Sequence, residues 1–215
     1  MFYWILFNED NYNACVRSGL LENIPFKERS PKTNAFLLMS NIIHRFIRVS
    51  PLIQDQVNNR IRSMGNQTTI GFHIRKGDRH SDFHETRQFL LDTDVKSFSH
   101  CSIVNSHPKA VLFVASDSSE AKQKVIATTT RRVFTSSKRA RHSNAAMRKE
   151  KNVGILFDSF IDLLTVASCD YMVGTWKSSF SVVAGAFQGK VPYFVTRMSK
   201  CFQPETVSYS LVCYT

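Results

Sequence analysis

The sequence predicts an α/β fold, a Rossmann-like doubly wound parallel sheet that follows a helical N-terminal segment. Strand and helix signals alternate from residue 69 to residue 196, which is typical of parallel β-α units. Residues 110–116 (AVLFVAS) are a continuous apolar run, as expected of a strand buried on both faces. Residues 69–75 (TIGFHIR) have the pattern of another strand, which leads into Gly77, where the chain is expected to turn.

Two helices are expected before this sheet. Apolar side chains at spacings of three and four predict a helix over residues 34–49, which Ser50-Pro51 ends. A second helix is expected to end before Gly65. Its predicted apolar face consists of Ile53, Val57, Ile61 and Met64.

Further strands and helices follow the same alternation. The remaining predicted strands are residues 131–136, 171–175 and 191–196. Three more helices are predicted. One begins within residues 117–120 and continues to 127, and the other two span residues 153–168 and 178–187. Residues 80–107 interrupt this order, because they are mostly polar and favour short helical pieces at most. We interpret them as an active-site loop.

The charge of the chain favours an anionic ligand or partner. Its 215 residues suffice for one domain or slightly more, and 28 Lys and Arg against 17 Asp and Glu give a formal charge of +11. Such a field attracts nucleotide phosphates, nucleic acid, acidic glycans or a membrane surface. The basic run 138–151 (KRARHSNAAMRKEK) is either a solvated surface or a contact for an acidic partner, and no RNA-binding motif accompanies it.

The cysteines and the apolar segments limit the other classes. There is no CxxC pair, so no metal site is expected. Cys201 and Cys213 can form a disulfide in an oxidising compartment or remain free thiols, and Cys169 is expected in the core. The opening MFYWILF is too short for a membrane-spanning helix, so membrane association would need an anchor outside this chain.

The end of the first strand carries the strongest site signal. His73 and Arg75 are two residues apart and therefore point to the same side of the strand, and Asp78 follows the turn. The carboxyl ends of strands in open α/β sheets are where ligands bind. The guanidinium of Arg75 matches a phosphate, or alternatively pairs with Asp78. His73 can contact a ligand or be a satisfied core histidine.

A second cluster follows the strand at residues 171–175. Thr175 ends this strand, and a helix begins near Ser178, so free backbone N–H groups and hydroxyls can bind an anion there, with Lys177 as an added cation. The alternative is simple N-capping by Ser178. Neither GxxxxGK[ST] nor GxGxxG is present.

Two carboxylates are further candidates. Asp162 lies among apolar residues of a predicted helix and needs a partner, for which the amino edge of a guanine is suitable. Asp117 ends the strand at residues 110–116 and can cap the next helix, line the site, or do both; capping is the simpler interpretation.

These motifs together resemble a known family. HIRKGD, LFVASDSSEAK and DLLTVASCDYMVGTWKSSFSVVAG are similar to the sugar-nucleotide-binding half of the GDP-fucose-dependent fucosyltransferases, which include α1,6-, α1,2- and plant xyloglucan-type enzymes. The resemblance spans residue 34 to the end, and HxRxGD is a fairly specific motif. It implies the C-terminal half of a GT-B fold and an inverting, metal-independent transfer of fucose from GDP-fucose to a glycan or glycoprotein acceptor in the Golgi.

The resemblance also implies roles for individual residues. Arg75 would bind the β-phosphate of GDP, His73 would lie near the nucleotide, and Asp162 would contact guanine. The other implied substrate-binding residues are Thr175, Ser178 and Ser179, which surround the phosphates, and Asp78 and Arg79, which shape the pocket. Asp117 is also expected among the substrate-binding residues, from its place at a strand end and not from the resemblance. No cofactor is implied beyond the donor itself.

The chemistry requires two further functions. Positive charge on the departing diphosphate stabilises the leaving group, which Arg75 can supply. A general base must take the proton of the acceptor hydroxyl, and the segment after HIRKGDRH offers Asp82, with Glu85 as the alternative.

The expected domain organisation is uneven. Residues 67–215 would form the GDP-sugar-binding domain. Residues 1–66 are too few for a second domain of usual size, so we expect a helical remnant of the acceptor-side domain. Two other hypotheses remain: a noncatalytic anion- or nucleic-acid-binding module, and a pseudoenzyme that binds GDP without transfer. With the family resemblance, we expect no nucleic-acid partner.

Overall fold

A computed structural model describes residues 31–77, 90–135 and 153–204. Helices and strands alternate along most of this length. The helices are α1 Pro31–Phe46, α2 Pro51–Met64, α3 Asp92–Ser99, α4 Ser102–Asn105, α5 Ser119–Thr128, α6 Val153–Ala167 and α7 Ser179–Gln188. The strands are β1 Thr69–Ile74, β2 Val111–Ser116, β3 Val133–Thr135, β4 Tyr171–Thr175, β5 Tyr193–Val195 and β6 Cys201–Phe202.

The strands form a single six-stranded sheet in the order β3-β2-β1-β4-β5-β6. The first five strands of this order are parallel, and only β6 is antiparallel to its neighbour. The chain leaves β1 towards β2 and later returns to β4 on the other side of β1. The gap between the ends of β1 and β4 is therefore the topological switch point, where doubly wound sheets bind ligands.

Helices cover both faces of the sheet. One face packs on α3, α4 and α5 through a core that includes Phe72 and Phe98. The other face packs on α2, α6 and α7. A side chain at Gly71 would place its Cβ 2.9 Å from the backbone oxygen of Val166, so glycine is needed where α6 crosses β1. The N-terminal helices belong to the same packing, since α1 contacts α7 through Met39 and Ile43.

The predicted α/β fold class is confirmed, with small shifts at the element ends. The first helix starts three residues before the prediction and ends at Phe46, while the strand predicted at 171–175 is confirmed without change. Ser50 caps α2, where its hydroxyl accepts a hydrogen bond from the N–H of Ile53 at 3.4 Å. The antiparallel strand β6 was not predicted.

Residues 80–107 contain the short helical pieces that were predicted, but their described part is not a loop. Residues 92–105 form α3 and α4, which pack on the sheet. The residues that enter the core recur at spacings of three and are Val95, Phe98, Cys101 and Val104. Because polar residues separate these apolar residues, the segment is polar in overall composition, and its buried side is not evident from the sequence.

Both alternatives for Cys201, a disulfide with Cys213 and a free thiol, are wrong. Cys201 forms a disulfide with Cys101, which lies 100 residues earlier in the chain. The disulfide ties the junction of α3 and α4 to β6 at the sheet edge. Cys169 is a buried free thiol, as predicted. No described helix is long and apolar enough to cross a bilayer.

Candidate functional site

The switch point gathers polar residues from three strand ends. Arg75 follows β1, Asp117 follows β2, and the segment from Trp176 to Ser178 connects β4 to α7. The register explains this proximity, because His73 on β1 lies beside Ala115 on β2 and Gly174 on β4. Parallel neighbours that are in register end at the same edge, so the residues that follow them lie close together.

His73 joins β1 to the first turn of α7. Its ring stacks on Phe180 at a centroid distance of 4.1 Å, and its Nδ1 lies 2.7 Å from the hydroxyl oxygen of Ser181. Gly174 makes this contact possible, since a Cβ there would lie 2.6 Å from Ser181. His73 is only 5% exposed, so it holds the N-terminus of α7 in place rather than forming an open surface.

Burial sets the protonation state of His73. Loss of solvation, and secondarily the charge of Arg75, lower the pKa of His73 from 6.5 to about 3. The ring is therefore neutral in the folded protein at physiological pH. It acts as a hydrogen-bonding and packing group, and the positive charge that acts on it is that of Arg75.

This lowered pKa predicts that the protein loses stability in mild acid. The unfolded chain binds a proton at His73 below pH 6.5, while the folded chain does not until about pH 3, so stability falls as the pH drops between these values. Between about pH 7 and about pH 5.5 the expected loss is about 1.3 kcal/mol. Urea unfolding of the wild type and of His73→Gln at both pH values measures it, because glutamine removes this pH dependence.

An exposed histidine provides the matched control. His44→Gln should leave the pH dependence of the wild type intact, since the side chain of His44 is exposed. Equal pH dependence in His73→Gln and in the wild type would show that His73 takes up its proton normally in the folded state.

Arg75 is half-buried at the start of the turn that follows β1. Its backbone N–H donates to the hydroxyl of Thr175 at 2.9 Å. The same hydroxyl donates to the backbone oxygen of His73 at 3.0 Å, and Thr175 is completely buried. Thr175 therefore links β4 to β1 at the switch point, with both of its hydrogen bonds made within the protein.

Asp117 binds the backbone of the same turn. Its two carboxylate oxygens accept hydrogen bonds from the N–H of Lys76 at 2.9 Å and of Gly77 at 3.1 Å. The interpretation of Asp117 as a helix cap is wrong. The cap of α5 is Ser118, whose hydroxyl accepts from the N–H of Ala121. The carboxylate instead faces back across the sheet edge to β1.

Lys76 belongs to an ion-pair network on the outer side of the turn. Its ammonium pairs with Asp92 at the start of α3 and lies 3.3 Å from Glu120 on α5. Lys124 lies 2.9 Å from the same Asp92 and 3.3 Å from Glu120. The network joins the turn to two helices, so the charge of Lys76 is directed at protein carboxylates.

The segment between β4 and α7 has an unusual backbone. Lys177 has a φ of 64°, in the left-handed region that non-glycine residues seldom adopt, and its side chain is exposed. Ser178 is the N-cap residue and is 2% exposed, but its hydroxyl makes no capping hydrogen bond. Simple capping by the Ser178 hydroxyl is therefore wrong. Ser179, the first residue of α7, is exposed.

Asp162 has a protein partner, as its apolar surroundings on α6 required. Its carboxylate lies 2.5 Å from the guanidinium of Arg60 on α2. Arg60 also lies over the ring of Phe113, 5.9 Å from its centroid. The pair joins the two helices on one face of the sheet.

Several predicted residues lie outside the described part of the chain. These are Asp78, Arg79, the proposed base Asp82, its alternative Glu85 and the basic run 138–151. Within the described ranges, no group of three or more His, Cys, Asp or Glu side chains is arranged to hold a metal ion.

Sequence inspection did not identify Ser181 or the true partner of Asp117. Ser181 bonds a histidine 108 residues away, and Asp117 bonds backbone about 40 residues away. No local pattern reports such contacts. The available signal for the contact with Ser181 was the presence of two small residues, Gly174 on the strand and Ser181 on the helix. Small residues at such positions are typical of close packing between a strand and a helix.

The strand order and the polar residues at the switch point define a doubly wound, Rossmann-like α/β structure. Two solved structures share this fold. FUT1 from Arabidopsis thaliana, a point mutant in complex with GDP, superposes with a TM-score of 0.56 at 10% identity, over 81% of this chain and 42% of that one. POFUT1 in complex with GDP superposes with a TM-score of 0.52 at 15% identity, over 86% of this chain and 60% of that one.

The described part of the chain therefore shares the fold of part of FUT1 and of POFUT1. This chain spans 42% and 60% of the lengths of the two matched structures. No protein-family model matches the sequence, and no curated protein matches it either.

Proposed function

We propose that the chain binds GDP-fucose and transfers fucose to a glycan or glycoprotein acceptor. The observation that carries this proposal is the position of Arg75 at the switch point, beside the N-terminus of α7. A guanidinium and the positive end of a helix are suited to a diphosphate. The fold shared with FUT1 and POFUT1, whose structures hold GDP, supports the choice of this nucleotide.

The described contacts narrow the residues proposed to touch the donor. Thr175 makes its hydrogen bonds to backbone, and Asp162 pairs with Arg60, so we assign neither to the phosphates. The hydroxyl of Ser178, which makes no capping bond, and the exposed Ser179 are the groups of α7 that we assign to them. Lys177 adds positive charge at the same helix end.

The proposed reaction separates charge at the sugar. The bond between the anomeric carbon of fucose and the β-phosphate oxygen breaks, and its electron pair remains on the diphosphate. Arg75 stabilises this charge more in the transition state than in the bound donor, which is how it accelerates the step. The acceptor hydroxyl bonds the anomeric carbon and loses its proton to a base, for which we propose Asp82.

The disulfide supports a location in the secretory pathway. Such bonds persist in oxidising compartments and are rare in the cytosol. Cys101–Cys201 therefore agrees with the proposal that the protein acts in the Golgi.

Titration calorimetry of the folded protein tests the donor assignment. We expect GDP and GDP-fucose to bind and a UDP-sugar to bind much more weakly, since the site is proposed to select the guanine nucleotide. Folded protein that does not bind GDP would overturn the proposal.

Two further measurements separate the alternative functions. Transfer of labelled fucose to a glycan mixture distinguishes an enzyme from a pseudoenzyme that binds GDP alone. Binding to RNA or heparin that weakens steeply with salt, in the absence of GDP binding, would favour an anion-binding module, which the charge of +11 makes a physical alternative.

A further inference from the structure

The turn after β1 has three successive backbone N–H groups that are all bound by side chains. The N–H of Arg75 donates to Thr175, and those of Lys76 and Gly77 donate to the two oxygens of Asp117. Successive N–H groups in a turn can otherwise form an anion-binding nest. Because protein acceptors already take these three, the turn contributes to anion binding through a side chain instead of its backbone.

Both acceptors reach the turn from a neighbouring strand. Thr175 comes from β4 on one side of β1, and Asp117 follows β2 on the other side. The Thr175 hydroxyl also donates to the oxygen of His73, so it spans the residues before and after the strand end. The turn is held from both sides at the point where Arg75 leaves the sheet.

The backbone of the turn requires such support. Gly77 has a φ of 72°, so the chain changes direction within two residues of Arg75. The bidentate contact of Asp117 holds Lys76 and Gly77 through this change. A small rotation of either peptide would move the base of the Arg75 side chain and displace the guanidinium at its far end.

We propose that Asp117 and Thr175 are positioning residues that act through Arg75 and make no contact with the ligand. This inference rests on the proposed function, since it assumes that Arg75 binds a diphosphate. It differs from the expectations drawn from the sequence, in which Thr175 surrounds the phosphates and Asp117 caps a helix or lines the site. Three short hydrogen bonds to backbone carry it.

A double-mutant cycle with GDP as the probe tests the inference. Asp117→Asn retains one carbonyl acceptor and should weaken GDP binding about tenfold in the wild-type background. In the Arg75→Ala background the same change should have almost no effect, because the guanidinium that it aims is absent. Calorimetry of the four proteins gives the coupling directly.

Three more variants guard against loss of folding and against a charge effect. Thr175→Val removes the hydroxyl at equal volume and should weaken GDP binding as Asp117→Asn does. Thr175→Ser keeps the hydroxyl and should bind GDP with the affinity of the wild type. Asp55→Asn makes the same change in net charge at an exposed position of α2 and should leave affinity unchanged.

The outcomes separate the inference from the function it rests on. If the wild type does not bind GDP, the proposed function and the inference are both overturned. If the wild type binds GDP and Arg75→Ala weakens it, an equal loss from Asp117→Asn in both backgrounds overturns the inference alone, since Asp117 would then act independently of Arg75.

Discussion

Replacement of Arg75 by alanine is expected to weaken GDP binding about 100-fold or more. Truncation of one partner in a desolvated, hydrogen-bonded charge pair costs about 2–5 kcal/mol, and about 2.7 kcal/mol corresponds to 100-fold. Arg75 is half-buried, which reduces solvent screening of its charge. Calorimetric titration of GDP into wild-type and variant protein measures the ratio of the two affinities.

Two controls distinguish a specific contact from a general loss of positive charge. Arg75→Lys keeps the charge but loses the planar fork, so we expect an intermediate affinity, about tenfold below that of the wild type. Arg48→Ala removes an exposed positive charge on the linker between α1 and α2 and should have little effect. Similar affinities for Arg75→Ala and Arg48→Ala would show that only the overall field attracts the nucleotide.

Loss of the Cys101–Cys201 disulfide is expected to lower the free energy of unfolding by about 2–5 kcal/mol. The bond closes a loop of 100 residues. Breaking it increases the conformational entropy of the unfolded chain, and this increase is larger for longer loops. The buried position of Cys101 adds to the cost, because the α3–α4 junction packs in the core beside it. Urea unfolding with and without reductant measures the change.

A variant without the bond serves as the control for this experiment. Cys101→Ser combined with Cys201→Ser should be as unstable as the reduced wild type and should not respond to reductant. Peptide mapping under nonreducing conditions identifies the pair directly. A peptide that joins Cys201 to Cys213, or equal stability of oxidised and reduced protein, would contradict the observed pairing.

Local patterns were sufficient to predict the α/β alternation. A continuous apolar run marked β2, and apolar spacings of three and four marked α2 and α6, because burial on two faces or on one stripe is visible within ten residues. The exceptions are short. Helices α3 and α4 have 8 and 4 residues, and β6 has 2, which is too few for a period to show.

The site was predictable where it depends on single strand ends and not where it depends on contacts across the sheet. The position of Arg75 after β1 follows from the strand and the glycine that ends it. The partners of Asp162, Asp117 and Cys201 lie 102, about 40 and 100 residues away, so only the strand order brings them together. The sequence therefore suggested a ligand or a nearby residue as the partner of each, whereas the actual partners are distant groups of the protein.

The two outermost strands of the sheet have a consequence for behaviour at high concentration. In the described part of the chain, the edge strands β3 and β6 have 3 and 2 residues, so each offers few unpaired backbone groups to another molecule. Long edge strands act as templates for the addition of a strand from another molecule, and short ones suppress it. A strongly apolar sheet interior can thus coexist with resistance to aggregation.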